Sequence, residues 1–196
     1  HHVGMAGSSA IITACFRALM LFYEVTIERP ALANLVLSVE NDELHIPAGL
    51  QDRVIQAYEG MVFMDFAEEH FERQGHGEYE ELDPANLPPL YVAYTTQLSE
   101  GTEVFHNDIR GRFNRKEEDV VAAMTEWADL TQKTRDLLVA ERGNEIGPLL
   151  DRNFDLRQSI YQLSEGNLAM VEAARSVGAS AKFTGSGGAI VGVYEG

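Results

Sequence analysis

The 196-residue sequence predicts an α+β protein, and two kinds of periodicity lead to that class. Long segments carry apolar residues at helical spacing, and Glu117–Arg142 is the clearest of them. Short segments bounded by glycine or proline, such as Leu90–Thr95, have the character of strands. Because helices and strands do not alternate one by one, the pattern favours α+β over a doubly wound α/β sheet.

The first part of the chain is predicted to contain three helices and one strand. The segment Ala10–Tyr23 is apolar nearly all round, so its helix is expected to be buried. Further helices are predicted over Ala31–Leu44 and Gln51–Glu59, and a strand over Met61–Phe66. The acidic segment Glu68–Asp83 contains two glycines and is expected to be a surface excursion.

The prolines of the segment Pro84–Pro89 interrupt both periodicities and mark the best candidate for a domain boundary. The sequence is therefore divided into domains 1–86 and 87–196. The elements predicted after the boundary are strands Leu90–Thr95, Ala181–Thr184 and Ala189–Tyr194, and helices Glu117–Arg142, Gly147–Ser164 and Asn167–Val177.

Composition excludes several classes of function. Acidic residues outnumber Lys and Arg 31 to 15, and the net charge of −16 argues against binding to nucleic acid or to an anionic membrane surface. A single cysteine, Cys15, excludes an intrachain disulfide framework and a multi-cysteine zinc site. The longest apolar stretch carries Arg17 and is too short to span a bilayer. A reducing, cytoplasmic location is the expectation that follows.

A loop of small residues precedes the first predicted helix. Such a loop turns several backbone N–H groups toward one point, where the helix dipole adds positive potential, so it predicts a phosphate site. No Lys-Ser/Thr pair follows the glycines, which excludes a Walker A loop, but the Ser9 hydroxyl is a candidate Mg²⁺ ligand. The alternative is a capped helix whose glycines only permit close packing. The phosphate-binding candidates are Gly4, Met5, Ala6, Gly7, Ser8 and Ser9.

Two carboxylates form a second candidate group. Asp52 stands at the start of a predicted helix just after Gly49, and Glu40 lies 12 residues upstream. Phosphoryl transfer assisted by Mg²⁺ needs one carboxylate for the metal and one for the attacking hydroxyl. The alternative is that Asp52 is an acid favoured by the helix dipole and that Glu40 is a surface residue.

A glycine-rich turn, Thr184–Gly188, joins the last two predicted strands. Glycines at such a turn let a ligand or another backbone approach closely. Because glycine-rich hairpins are common, this turn indicates a site only together with the two groups described above.

In this order the three segments resemble the GHMP kinases, the small-molecule kinases that include galactokinase, homoserine kinase and mevalonate kinase. The second family motif, Gly-Leu-Gly-Ser-Ser-Ala, is matched by Gly7–Ala10, and the third, Thr-Gly-Ala/Ser-Gly-Gly, by Thr184–Gly188. The element Gly-x-x-Asp, which carries the catalytic aspartate of the family, is matched by Gly49–Asp52. The spacing of Glu40 and Asp52 is similar to that of the sugar-kinase members.

Within the family the resemblance is closest to the glucuronokinases of plants. Ala6 stands between Met5 and Gly7 in the first loop, a departure from the family motif that is shared with that subfamily. The first family motif is missing, so the chain is expected to be a fragment with little or no activity by itself. The stretches that carry the resemblance are Val3–Ile11, Ala48–Val54, Met64–Phe66 and Lys182–Ala189, with weaker agreement at Leu87–Leu90 and Asn153–Arg157.

The resemblance implies a two-domain fold and an activity. Residues 1–86 would be the C-terminal half of an N-terminal, ATP-binding domain that is partly like ribosomal protein S5, and residues 87–196 a ferredoxin-like C-terminal domain. The implied activity is an ATP-dependent sugar 1-kinase, with D-glucuronate as the expected substrate. The alternatives are another sugar kinase of the family, of heptose or galactose type, and a non-catalytic kinase-like binding module.

The resemblance also implies a role for each candidate residue. The loop amides and those of Gly185, Ser186 and Gly187 would hold the phosphates of ATP, while Ser9 and Glu40 would bind Mg²⁺. Asp52 would contact the sugar and accept the proton of its anomeric hydroxyl.

A sugar carboxylate needs a local cation in a protein of net charge −16, and Arg53 is the candidate because a guanidinium can bind a carboxylate through two hydrogen bonds. The alternative is an ion pair of Arg53 with Asp52 or Glu40, and Lys182 is the second choice. The implied partners are ATP and a sugar acid, and the oligomeric state stays open.

Overall fold

A computed structural model describes residues 6–46, 48–95 and 108–194 of the chain. These residues form two compact units, one spanning Ala6–Pro84 and the other containing the described residues after Pro84. The division falls within the proline segment that the sequence marks as a boundary. Both units mix helices and strands, which confirms the α+β class. Within the described ranges, no helix is long and apolar enough to cross a bilayer.

The first unit contains helices and one antiparallel strand pair. Strands β1 and β2 pair so that Met61 lies opposite Leu82 and Asp65 opposite Glu78. A π-helical turn, Val39–Glu43, continues the second helix. The N–H of Leu44, the residue after this turn, donates to the Val39 carbonyl oxygen at 3.0 Å. The elements are α1 (Gly7–Phe22), α2 (Arg29–Ser38), α3 (Gln51–Tyr58), β1 (Met61–Asp65), α4 (Glu68–Gln74) and β2 (Glu78–Leu82).

The core of the first unit lies between α2 and α3. One stripe of α1 packs against the same core through partly buried Ile12, Phe16 and Met20. This packing fixes the N-terminal end of α1 beside the C-terminal end of α2 and the start of α3, where the candidate polar residues lie. The buried residues of this core are Leu32, Ala33, Val36, Val54 and Ala57.

The expectation that α1 is buried is wrong. Only Ser9 and Thr13 of this helix are buried, whereas the Leu21 and Phe22 residues are 82% and 78% exposed. A helix that is apolar all round needs neighbours on every side. The described residues supply neighbours from α2 and α3, on one side only.

The segment Glu68–Asp83 is more regular than its acidic composition predicts. It forms α4 and β2, joined by a turn in which Gly75 ends the helix with φ 78°. Tyr79 of β2 packs edge-on against the rings of Tyr58 and Phe66, 5.5 and 5.9 Å between centroids. Aromatic packing on one face of β2 therefore gives the strand an inner side that the charge pattern conceals.

The second unit combines helices with a three-stranded antiparallel sheet of order β3-β5-β4. The helices and strands of this unit begin and end within a few residues of the predicted positions, except that the short helix α5 is not among the predicted elements. The elements are β3 (Leu90–Tyr94), α5 (Ile109–Asn114), α6 (Glu118–Val139), α7 (Gly147–Ile160), α8 (Glu165–Ser176), β4 (Lys182–Phe183) and β5 (Ala189–Val193).

Helix α7 contributes to two apolar clusters in the second unit. Leu156 and Ile160 pack with residues of α5 and α6, whereas Phe154 packs with Val171 of α8 and with the sheet. The helix is therefore held on two sides, and it passes close to β4 and to the glycine-rich turn that follows β4.

Gly192 provides a test of the sheet. It lies in the central strand β5, where an added Cβ would overlap the Ser180 carbonyl oxygen and come within 2.8 Å of the Tyr91 ring. We expect Gly192→Ala to lower the free energy of unfolding by about 1–3 kcal/mol, because overpacking forces the backbone to shift. Urea unfolding followed by circular dichroism measures the change.

The matched control is Gly166→Ala in the first turn of α8, where an added Cβ meets no atom within 4 Å. Since alanine has the higher helix propensity, this variant should be neutral or more stable by up to about 1 kcal/mol. Equal effects of the two substitutions would contradict the close approach of Ser180 to Gly192.

Candidate functional site

The described part of the first loop shows a strained entry into α1. Ala6 has φ 55° and ψ 35°, a left-handed conformation that costs a non-glycine residue roughly 1–2 kcal/mol. Two hydrogen bonds hold it, from the Ala10 N–H at 3.1 Å and from Ser9 Oγ at 2.9 Å, both to the Ala6 carbonyl oxygen. No side chain of the described residues caps α1, so its first amides have no side-chain acceptor there, which is typical of an anion site at a helix N-terminus. The candidates Gly4 and Met5 lie outside the described residues.

Glu40 lies in the π-helical turn after α2 and its side chain is 0% exposed. The Ser8 hydroxyl donates to Glu40 Oε1 at 2.8 Å, so the hydroxyl in contact with Glu40 is that of Ser8. Ser9 is buried and its Oγ donates to its own loop, because adjacent helix residues point in different directions. The alternative that Glu40 is a surface residue is wrong.

Arg53 of α3 is buried and connects the two candidate carboxylates. Its Nε and Nη2 donate to Glu40 Oε2, and its Nη1 donates to the Gly49 carbonyl oxygen at 3.0 Å and to Asp52 Oδ2 at 3.2 Å. The ion pair that the sequence offered as the alternative role of Arg53 is therefore present. We call Ser8, Glu40, Arg53 and Asp52 the polar network.

The two carboxylates of the polar network differ in exposure. The Asp52 side chain is 51% exposed, whereas that of Glu40 is fully enclosed. Asp52 can therefore meet a molecule from solvent directly, whereas Glu40 is enclosed and contacts the exposed Ser8. This division suits one carboxylate that contacts a substrate and one that holds a charge in place.

The oxygens of Ser8 and Glu40 fit a Mg²⁺ ion. Their separation of 2.8 Å is close to the roughly 3 Å between neighbouring ligands in a Mg²⁺ octahedron with bonds of about 2.0–2.1 Å. Among the described residues, no group of three or more His, Cys, Asp and Glu is placed to hold a metal ion. Such a pair suits Mg²⁺, because this ion usually takes one or two protein oxygens together with water and phosphate.

The glycine-rich turn of the second unit is held at both ends. The Thr184 N–H donates to the Ala189 carbonyl oxygen at 3.1 Å, and the Gly188 N–H to Asn167 Oδ1 at 2.9 Å. Arg157 Nη1 donates to the Gly185 carbonyl oxygen at 3.0 Å. Within the described ranges, none of the amides between these ends donates a hydrogen bond. These amides belong to Gly185, Ser186 and Gly187.

The family model of the GHMP kinases N terminal domain matches residues 1–60, which contain the whole polar network. This part of the chain belongs to the GHMP kinase family. The family resemblance that the sequence motifs indicated is therefore confirmed.

Two proteins of Arabidopsis thaliana are similar to nearly the whole chain. Glucuronokinase 1 is 42% identical over 193 residues, which are 96% of this chain and 53% of that protein. Probable glucuronokinase 2 is 43% identical over 194 residues, 96% of this chain and 52% of that protein. The chain thus spans about half the length of the curated relatives it matches.

A solved structure agrees with the fold. Galactokinase of Lactococcus lactis complexed with galactose superposes with a TM-score of 0.71 over 97% of this chain and 57% of that one. The sequence identity is 16%, so this likeness concerns the fold alone. The predicted GHMP kinase fold is confirmed over the part of the fold that this chain covers.

Sequence reasoning missed two contacts of the candidate residues. It paired Ser9 with Glu40 and gave Ser8 only an amide role, because the spacing of the motif does not show which hydroxyl faces Glu40. It also gave no role to Arg157, although this residue belongs to a stretch that carries the family resemblance. The contact of Arg157 with Gly185, 28 residues away, has no local signal in the sequence.

The buried pair of Arg53 and Glu40 leads to a stability test. We expect Arg53→Ala to lower the free energy of unfolding by about 3–5 kcal/mol, because it leaves the Glu40 carboxylate buried without its guanidinium. The matched control is Arg17→Ala, which removes an exposed partner of Glu59 and should cost less than about 1 kcal/mol. Chemical denaturation of both variants measures the difference.

A double variant separates lost charge pairing from lost packing. Adding Glu40→Gln to Arg53→Ala removes the isolated charge and should recover part of the stability. If Arg53→Ala costs no more than Arg17→Ala, the pair is not the buried interaction described here.

Proposed function

We propose that this chain is part of an ATP-dependent sugar 1-kinase that converts D-glucuronate to glucuronate 1-phosphate. The observation that carries the proposal is the polar network, which joins a buried carboxylate, a hydroxyl and a half-exposed aspartate inside the segment that matches the GHMP kinases. The similarity to two glucuronokinases along 96% of the chain supports the choice of sugar. We further propose that residues 1–86 serve the ATP-binding domain and residues 87–196 the C-terminal domain of this kinase.

The amides at the start of α1 would bind phosphate groups of ATP. They belong to the candidate loop of Gly4, Met5, Ala6, Gly7, Ser8 and Ser9. Uncapped N–H groups and the positive end of the helix dipole favour an anion at this place. The amides of Gly185, Ser186 and Gly187 are the second set that we assign to phosphate.

Glu40 would hold Mg²⁺ together with a serine hydroxyl. Ser9 is the serine that the family motif indicates, and the contact of Ser8 with Glu40 makes Ser8 a second ligand candidate. Held there, Mg²⁺ would supply positive charge that neutralises the negative charge developing on the phosphate during transfer. Arg53 holds the Glu40 carboxylate from its other oxygen, so this side chain cannot turn away from Ser8.

Asp52 would receive the proton of the anomeric hydroxyl as the hydroxyl oxygen of the sugar attacks the terminal phosphorus of ATP. The bond from that phosphorus to the oxygen bridging it to ADP breaks, and ADP leaves with this oxygen. Arg53 contacts Oδ2 of Asp52, so we assign the proton to Oδ1. Positioning supplies much of the acceleration in phosphoryl transfer, and Arg53 orients the aspartate that orients the sugar.

Arg53 also stays the candidate for the carboxylate of the sugar acid. Its contact with Asp52, 3.2 Å long, is the longest that it makes, and a sugar carboxylate would compete for the same donor Nη1. The other contacts of Arg53 tie it to Glu40 and to Gly49. We propose the cytoplasm as the location, since the one cysteine supports a reducing compartment.

Asp52→Asn tests the catalytic role. We expect kcat for sugar phosphorylation to fall about 10²–10⁴-fold, because asparagine keeps the shape of the side chain but accepts no proton. Nucleotide binding should change little. A coupled assay of ADP release, run on the 196-residue chain and on a longer product of the same gene, measures kcat.

Asp42→Asn is the matched control, since Asp42 is an exposed carboxylate of the same π-helical turn as Glu40. It should leave kcat within about twofold, as surface substitutions usually do. Similar rates for Asp52→Asn and Asp42→Asn would contradict the proton-accepting role of Asp52. We expect little or no turnover from the 196-residue chain by itself, because it spans only about half the length of the two glucuronokinases that it resembles.

The choice of sugar is tested by comparing glucuronate with galactose in the same assay. Glucuronate should have the higher kcat/KM by at least about tenfold, because only glucuronate offers a carboxylate to Nη1 of Arg53. Equal values would favour a sugar kinase of galactose or heptose type. Nucleotide binding without turnover of any sugar in the longer product would favour the non-catalytic module.

A further inference from the structure

Most cations of this acidic chain are neutralised by carboxylates. At least ten of its twelve arginines form ion pairs with Asp or Glu in the part of the chain that the structure describes. Lys182, one of only three lysines, forms no ion pair with a carboxylate of residues 6–46, 48–95 or 108–194. The charged neighbour that acts on Lys182 is a second cation, Arg157.

Both cations lie beside the glycine-rich turn. Lys182 opens β4, and its Nζ donates to the Phe183 carbonyl oxygen at 2.8 Å. The Arg157 guanidinium lies 5.0 Å from the centre of the Tyr161 ring and 5.1 Å from that of Phe183, and it donates to Gly185. Burial lowers the pKa of the Lys182 ammonium, and the nearby Arg157 lowers it further. A bound anion would offset both the loss of hydration of the Lys182 ammonium and its repulsion by Arg157.

The backbone of the turn complements these charges. Gly187 and Gly188 have φ of 138° and 78°, conformations that side chains rarely adopt. They allow the chain to reverse while the amides of Gly185, Ser186 and Gly187 donate to no described residue. Successive amides in such a turn form a concave group of donors that suits an anion.

We propose that Lys182 supplies the charge of a phosphate-binding subsite at the Gly185–Gly187 amides, and that Arg157 is the positioning residue that holds this turn. The assignment rests on the proposed function, which already gives these amides to phosphate, and it adds the two side chains. A tetrahedral phosphate suits several converging amides and a compact ammonium. A carboxylate is recognised better by a guanidinium fork, and the fork of Arg157 is engaged with Gly185.

Titration of the ¹⁵N-labelled chain with inorganic triphosphate tests the subsite. We expect the amide signals of Gly185, Ser186 and Gly187 to shift, and Lys182→Gln to weaken binding about tenfold, since a hydrogen bond to a charged group is lost. The matched control Lys133→Gln removes the same charge from exposed Lys133 on α6 and should change affinity less than about twofold. Lys182→Met, which keeps the aliphatic stem, serves if glutamine disturbs β4.

The positioning role of Arg157 has its own readout. Arg157→Lys keeps the charge but loses the planar group between the two rings. We expect faster hydrogen exchange at Gly185–Gly187 and weaker binding of triphosphate, with the exchange of α6 amides unchanged. Unchanged exchange in the turn would overturn the role of Arg157.

The outcomes separate this inference from the proposed function. If ATP shifts the Gly7–Ser9 amides while neither ATP nor triphosphate shifts the turn, the subsite is overturned and the kinase function is untouched. If triphosphate shifts the turn but no sugar is phosphorylated by the longer product, the subsite is supported and the kinase function fails. A shift with glucuronate alone, or equal losses from Lys182→Gln and Lys133→Gln, would overturn the subsite.

Discussion

The buried pair of Glu40 and Arg53 is the interaction on which the candidate site depends. It joins the end of α2 to the first turn of α3, and Ser8 attaches the start of α1 to the same carboxylate. Removing two charges from water is offset only when each finds a close partner of opposite charge and further hydrogen bonds. Among the described residues, Glu40 has two partners and Arg53 has three, so the ends of three helices are fixed at one place.

A net charge of −16 sets a second constraint, since the overall field of the protein repels anions. Under the proposed function, phosphate is therefore held by local donors, and each unit contains a candidate set of them among the described residues. In the first unit these are the uncapped amides of α1, and in the second unit the amides of the glycine-rich turn beside Lys182. Both sets follow small residues, because a bulky side chain would keep a phosphate away from the backbone.

Local periodicity predicted most helices and strands, and it failed where partners distant in sequence decide the structure. Burial of α1 could not be predicted, because an apolar surface is buried only where neighbours exist, and those described cover one side. The strand β2 depends on its pairing with β1 and on the packing of Tyr79, which its acidic residues conceal. The π-helical turn that carries Glu40 also has no signal in the hydrophobic pattern.

The sequence by itself determined the α+β class, the family and the candidate residues. Ser9, Asp52 and the Gly185–Gly187 turn each lie in a short motif, and the residue pattern of a short motif is a local property of the chain. Only the tertiary structure decided which of these groups meet. Ser8 rather than Ser9 contacts Glu40 because the rotation of α1 about its axis is set by packing on the α2–α3 core. Arg53 is buried and paired because α2 and α3 bring a carboxylate 13 residues away against it, which no local pattern encodes.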